Sequence, residues 1–335
     1  MACDRIVTLE NIESTITLNW PGGKNRMKMW WVVCLCIVFF RGVSGMDSSG
    51  AIPVDTAAAP EIRWEEAAAE VDSFPFSKQF VDSVRNLYKA PLPQTPLRRL
   101  ADGPFFAPET LVYKVGWGPF NAGYVVLSTL FNDADSTVTI GGKALSNNFV
   151  GAFYRMRDYV LSTVDARGLY PVFFEQHLRE GKRYRSNEYL LFDHIGKKVH
   201  VQTRKTFKTV DDMPLFLHDY LSVLYAIRAT RALAPGDTFS ESLFVHKKVH
   251  SIFFSVKSSK AREVDAGNFP CVVLVPRLAG EGRAFNKRDK LEIWLSDDRR
   301  RIPVAIRSKI KFGSINARLI WYSSSGGNPS VTMPE

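Results

Sequence analysis

From Leu111 to Tyr322 apolar and polar residues alternate in short runs, and Gly, Asn, Asp or Lys pairs separate one run from the next. The runs are "LVYKVGW", "AGYVVLSTL", "STVTIGG", "YVLSTVD", "PVFFEQHL", "RSNEYLLFD" and "KKVHVQTRK". After a break come "ESLFVH", "VHSIFFSV", "FPCVVLVP", "KLEIWLS", "IPVAIRSKI" and "ARLIWYS". A period of two puts successive side chains on opposite faces of an extended chain, so each run predicts a strand. Roughly a dozen strands at this spacing predict an antiparallel sheet folded on itself.

Two segments carry the helical period instead. "FSKQFVDSVRNLYKA" (residues 76–90) places Phe80, Val81, Val84, Leu87 and Tyr88 at helical spacing, with Ser77 as cap and "PLPQTP" as stop. "MPLFLHDYLSVLYAIRATRAL" puts Leu217, Leu221, Leu224, Tyr225 and Ile227 on one stripe, which predicts a helix from about Leu215 to Ala232. Pro214 stands near its first turn and Pro235-Gly236 after its end. So wide an apolar face must pack on the concave side of a sheet. The expected fold is mainly β: a single large curved antiparallel sheet, or half-open β-barrel, wrapped around one helix, with an extra N-terminal helix.

The N-terminus changes the compartment. Lys24, Arg26 and Lys28 precede the apolar stretch Met29 to Phe40, and the small residues of "VSG" follow, as in a signal peptide. Twelve apolar residues fall short of the roughly 20 that span a bilayer. Arg41 interrupts the exit, which keeps an uncleaved anchor as the competing reading. A start at Met27 or Met29 would leave the apolar stretch and the small residues after it intact. The expected organisation is residues 1–45 signal peptide, 46–104 linker with the first helix, 105–322 β-rich domain and 323–335 flexible tail.

Export also changes how cysteine and charge are read. Cys3, Cys34 and Cys36 lie in or before the leader, so Cys271 stands alone after cleavage and the core must supply the stability. Val33 and Leu35 stand where a lipobox needs small residues. The net charge of +10 is first of all what solubility asks for; in an exported chain it otherwise points to anionic lipid or an anionic envelope polymer, with contact at a membrane surface, rather than to nucleic acid. A monomer is expected.

The densest charge is "SDDRRRIP", which looks catalytic until it is laid on "VDARGLYP". The two stretches align without gaps, Asp165 on Asp297, Pro171-Val172 on Pro303-Val304 and Gly181 on Gly313. Each copy reads strand, Asp-bearing turn, strand opening with Pro. Asp165 and Asp297 are therefore expected as structural turn residues.

Other constellations are thin. His246 and His250 have a zinc-like spacing on a helix, but "FVHKKVHSIFF" reads as strand, where four residues span about 13 Å. A tight turn at Lys247-Lys248 would bring them closer, yet no acidic or thiolate third ligand is nearby. His218-Asp219 resembles half of a triad, but no Gly-x-Ser-x-Gly elbow supplies a nucleophile, and an Asp there suits a helix start. Cys271 sits in an apolar run, and "GGK" lacks the spacing of a phosphate loop. No metal and no cofactor is called for. Arg228 and Arg231 suit a helix C-terminus, and Arg228 could alternatively pair with Asp158 or Asp297.

"FFAPETLVYKVGWGPFNAG", "YRMRDYVLSTVDARGLYPVFFE", "HDYLSVLYAIRA", "LAPGDTF", "AGNFPCVVLVP" and "WLSDDRRRIPVAIRSKIKFGSINARL" follow one another in an order that resembles domain-of-unknown-function family 3108, over roughly residues 105–322. One departure is Pro108, which stands before Glu109 where the family usually has Gly. The resemblance implies an exported protein, periplasmic or associated with the outer envelope of a bacterium with an outer membrane. By looser analogy it implies a curved half-barrel similar to that of lipoprotein carriers. It implies no agreed activity.

The functional expectation is a non-catalytic envelope protein that binds an apolar or anionic component (lipid, lipopolysaccharide or a lipoprotein tail) in its curved sheet. The candidate ligand-binding residues are Tyr113, Trp117, Asp158, Tyr220, Tyr225, Arg228 and Trp294. The alternative is a carboxylate-dependent glycan hydrolase or lyase, which needs a carboxylate pair about 5–9 Å apart in the concavity.

Overall fold

The computed structural model describes residues 75–89, 108–118, 120–132, 134–229, 233–279, 291–310 and 313–323. The expected leader, most of the linker and nearly all of the tail lie outside the described residues.

Fourteen strands form one sheet. Eight come first: β1 (Glu109–Trp117), β2 (Phe120–Asn132), β3 (Thr137–Ser146), β4 (Arg157–Asp165), β5 (Pro171–Glu180), β6 (Tyr184–Asp193), β7 (Lys198–Thr203) and β8 (Phe207–Val210). Six follow: β9 (Thr238–Val245), β10 (Lys248–Val264), β11 (Gly267–Leu278), β12 (Leu291–Ser296), β13 (Pro303–Ile310) and β14 (Gly313–Ser323). Every predicted run falls on one of these strands. The strand that the alternation missed is β8, whose four residues are too few to show a period.

Consecutive strands pair antiparallel except β8 and β9, and β1 also pairs with β14, Trp117 opposite Ile315. The sheet is thus two meanders joined along the first and last strands, with β8 and β9 as its edges. It is not closed into a barrel. Among the described residues three helices accompany it: α1 (Lys78–Lys89), α2 (Asn148–Phe153) and α3 (Tyr220–Arg228). The sequence pattern missed α2, a six-residue turn capped by the Asn147 side chain, which accepts from Val150 N.

α3 is shorter than its apolar stripe. Asp219 is the N-cap rather than a first-turn residue: its carboxylate accepts from the N–H groups of Leu221 and Ser222, and Ser222 Oγ accepts from Asp219 N. Ahead of it Phe216 has φ 57°, a conformation no helix tolerates. The segment before the helix runs instead along the β9 edge, where His218 N donates to Ser242 O (2.8 Å) and Phe244 N to His218 O (2.7 Å). Apolar residues at helical spacing there serve an extended chain, so Leu217 packs with Phe244, Phe192 and Val201.

Residues 221–228 of α3 are all buried. They pack in one cluster with Leu111, Tyr113, Leu127 and Ile140 from the first meander and Leu274, Ile293, Ile306 and Leu319 from the second. A helix buried all round is the filling of a curved sheet. α1 packs elsewhere, through Phe80, on Tyr189 and Leu191 with Phe173 and Phe207 beside them. Ser77 caps α1, its Oγ accepting from Phe80 N, and is held to Gln202 by hydrogen bonds from both its N–H and its hydroxyl.

Candidate functional site

The chemistry of the interior begins at the two ends of α3. At its C-terminal end Arg228 is fully buried and donates two bonds of 2.8 Å to the Glu109 carboxylate and one of 3.0 Å to the Arg300 carbonyl. Burial works against its charge, and the Glu109 carboxylate more than offsets that, so the guanidinium stays protonated above its ordinary range. Its plane lies 4.8 Å from the Tyr225 ring centroid, and Arg301 Nη1 donates to the Arg228 carbonyl. Tyr113, on the first strand nearby, donates to the Pro303 carbonyl at 2.7 Å. Three expected ligand-binding residues, Tyr113, Tyr225 and Arg228, are thus core groups that fasten helix, first strand and the "DDRRR" turn together. Arg228 pairs with neither Asp158 nor Asp297, because the helix end points at the start of β1.

At the N-terminal end Asp219 is buried, and desolvation raises its pKa against the bonds it accepts, among them 2.6 Å from Ser162 Oγ. His218 Nδ1 lies 3.2 Å from Ser222 Oγ and its Nε2 3.6 Å from Glu241. Ser222, His218 and Glu241 therefore stand in the order of a hydrolytic triad. Both His218 and Ser222 are almost wholly buried, and Ser222 Oγ already accepts from Asp219 N. The arrangement is a helix cap with no room for a substrate.

Asp158 lies on β4, away from both. Its Oδ1 accepts from Arg179 N at 2.8 Å. Burial pushes its pKa up from 3.8 to about 8, the Arg179 backbone bond opposes this, and the Glu180 charge adds to it. Glu180 in turn accepts from the Tyr154 hydroxyl at 2.8 Å.

Between α3 and the second meander the packing is incomplete. Tyr220, Val223, Leu224 and Ile227 of the helix face Leu243, Ile252, Phe254, Pro276, Leu291, Ile293 and Ile306 across an apolar slot of about 40 Å³. Tyr220 alone among the expected residues lines it. The tyrosine hydroxyl turns away to donate to Gln176 Oε1 at 2.9 Å, leaving the ring to the slot. Trp294 sits on the face of β12 opposite Ile293, under the Arg262 guanidinium at 4.9 Å. Trp117 belongs to β1, and its side chain lies outside the described residues. The apolar slot residues carried the strand period in the sequence, but nothing in that period marks which core positions leave a gap.

The two echoing turns differ by one residue. In the first, Asp165 N donates to Tyr170 O, and the Asp165 carboxylate accepts from Arg167 N and Gly168 N. In the second, Ser296 N donates to Ile302 O, so the loop encloses one residue more. There Asp298 takes the capping role, accepting from Arg300 N and Arg301 N at 3.0 Å and from Ser296 Oγ at 2.8 Å. Asp297, the residue expected to do this, is exposed and contributes its backbone N–H to Pro270 O.

His246 and Lys247 form a two-residue hairpin turn with φ 51° and 60° between β9 and β10. Cys271 is buried, and desolvation raises its thiol pKa to about 11, far from a reactive thiolate. Among the described residues no three His, Cys, Asp or Glu side chains converge on a metal position.

A family model described as "Protein of unknown function (DUF3108)" matches residues 112–320. No curated protein matches the chain. Among solved structures, a β-barrel-like protein of domain of unknown function DUF1849 from Brucella abortus is similar at 12% identity and TM-score 0.49, over 66% of this chain and 98% of that one. A protein from Parabacteroides distasonis, described by inference as a lipoprotein, is similar at 9% identity and TM-score 0.28, over 66% of this chain and 97% of that one. An inferred exported protein with a YmcC-like fold from Bacteroides fragilis is similar at 9% identity and TM-score 0.27, over 65% and 99%.

Proposed function

The chain belongs to the DUF3108 family, and we propose that this member is an exported envelope protein that binds an apolar envelope component in its curved sheet without catalysing a reaction. The observation that carries the reading is the slot between α3 and the second meander. Its walls are apolar, and its one polar lining residue, Tyr220, spends its hydroxyl on Gln176. A volume of about 40 Å³ is far below the roughly 300–1,000 Å³ of an ordinary ligand pocket, so the slot takes the end of an alkyl chain and leaves the rest outside. The polar clusters of the interior support the same reading, because their groups are spent on capping and fastening α3.

A slot-filling variant tests this. Purified protein is titrated with a fluorescent fatty-acid analogue, and Val223→Phe is compared with the parent. Bound fluorescence in the parent, lost in a variant that still melts cooperatively, is expected. No binding by the parent, or equal binding by both, refutes it. Export has its own check: the chain recovered from the periplasm should begin near Met46, by denatured intact mass, with no covalent N-terminal lipid.

One observation favours the glycan-cleaving alternative. Asp158 keeps a proton near neutrality beside Glu180, and a protonated acid next to a second carboxylate is the equipment of general acid catalysis. Release of soluble fragments from peptidoglycan by the parent but not by Asp158→Asn would establish it. No release by either leaves the binding reading in place.

A further inference from the structure

The outer face of the sheet carries a second feature, unrelated to the slot. Lys114 of β1, Arg318 of β14, Arg307 of β13 and Arg262 of β10 line one groove of about 470 Å³, with Gly116, Gly118, Phe120, Asn121 and Asn316 completing it. Among the described residues no acidic side chain lines it. Arg262 reaches the groove because Ala266 N, in the turn after β10, donates to Leu319 O at 3.3 Å and holds the hairpin against β14.

The arrangement is unfavourable for an empty sheet. Lys114 stands directly opposite Arg318 in the ladder, and like charges in that position repel. Arg307, opposite Asn316, is the diagonal neighbour of Arg318, at about 7–8 Å by ladder geometry. Among the described residues none of the four cations is in an ion pair. The nearest carboxylate in register, Glu292 opposite Arg307, is held by Lys257 at 2.9 Å. One of the groove's own donors is left over: Arg262 Nε is buried with no hydrogen-bond partner. Solubility explains scattered surface cations. It does not explain four of them on one groove, two directly opposed.

We propose that this groove is an anion-binding site for a phosphate ester. Three guanidinium forks match phosphate oxygens in pairs, and the lysine adds a point charge. The amides of Asn121 and Asn316 supply neutral hydrogen bonds. Phe120, 44% exposed at the rim, offers its ring to the organic part of the ester. The glycine at 116 has its own reason, since a Cβ there would meet the Phe120 carbonyl oxygen at 3.0 Å. It also leaves the floor open between the two asparagines that flank it in register. The site is independent of the slot, and either can fail without the other.

Calorimetric titration of the full chain with inorganic pyrophosphate tests the site, using the double substitution Arg307→Gln with Arg318→Gln. Lys205→Gln with Lys208→Gln, on and beside the β8 edge, removes the same charge elsewhere. The groove variant is expected to bind at least about tenfold more weakly, the control pair to bind as the parent does. The groove variant should melt no lower than the parent, because a like-charge contact has been removed. Vesicles of phosphatidylcholine with and without phosphatidylglycerol separate the sources: binding only to the anionic vesicles, lost in the groove variant alone, assigns the phosphate to a lipid headgroup. Absence of binding to both probes overturns the proposal. So does an equal loss in the two double variants, or a groove variant that melts well below the parent, since the cations would then serve charge in general or the fold.

Discussion

Glu109 and Arg228 lie 119 residues apart in sequence and meet in the core. A buried ion pair is costly to leave half made, because the surviving charge has neither water nor partner. Glu109→Gln or Arg228→Met alone should each cost about 3–5 kcal/mol in urea unfolding, whereas Glu109→Leu combined with Arg228→Met should restore most of that loss. Additive losses in the double variant would mean the two groups act separately. Arg228 was visible in the sequence as a basic residue at a helix end. Its partner was not, since residue type and spacing say nothing about which distant carboxylate the fold delivers.

Asp158 gives a pH prediction. Its folded pKa of about 8 lies above its ordinary 3.8, so the folded chain holds that proton more tightly than the unfolded chain does. The sign follows: this group favours folding most in acid, and its contribution falls as pH rises from about 4 to about 8. Asp158→Asn should therefore flatten the decline of melting temperature across that window and gain most at its alkaline end. Parallel pH profiles for parent and variant would contradict this.

At the scale of elements, α3 is the filling on which the sheet depends. Leu224→Ala should cost about 2–5 kcal/mol by thermal or urea unfolding, as truncations in a packed core do. An unchanged melt would mean the helix can leave the concavity freely. The second hairpin makes a finer test: Asp298→Ala removes an acceptor used by two backbone N–H groups and should cost about 1–2 kcal/mol, while Asp297→Ala should leave the melt unchanged. Strands were legible because period two survives in every run longer than a few residues. Helix ends were less so. The residues from Leu215 to His218 fit the helical stripe, yet Asp219 caps the helix after them, Leu215 and Phe216 form a turn, and His218 bridges to the β9 edge. The shift from Asp297 to Asp298 rests on one extra loop residue, which an ungapped alignment cannot register.

For the whole molecule, a curved antiparallel sheet around one helix followed from counting alternating runs and finding one wide apolar stripe. The pairing of β1 with β14 did not, because contact between the first and last strands leaves no local trace. That pairing is what assembles the outer groove, since it brings Lys114 opposite Arg318. The slot escaped for a related reason: Leu243, Ile252 and Ile306 look like any core residue until three-dimensional packing leaves space beside them. The central claim is that this space holds part of an apolar envelope molecule. Native mass spectrometry of the protein purified from a periplasmic extract tests it most directly. The account predicts a mass above that of the bare mature chain, with an apolar molecule released on collision and absent from Val223→Phe. A parent that flies at its bare mass, or a variant that keeps the same adduct, would contradict it.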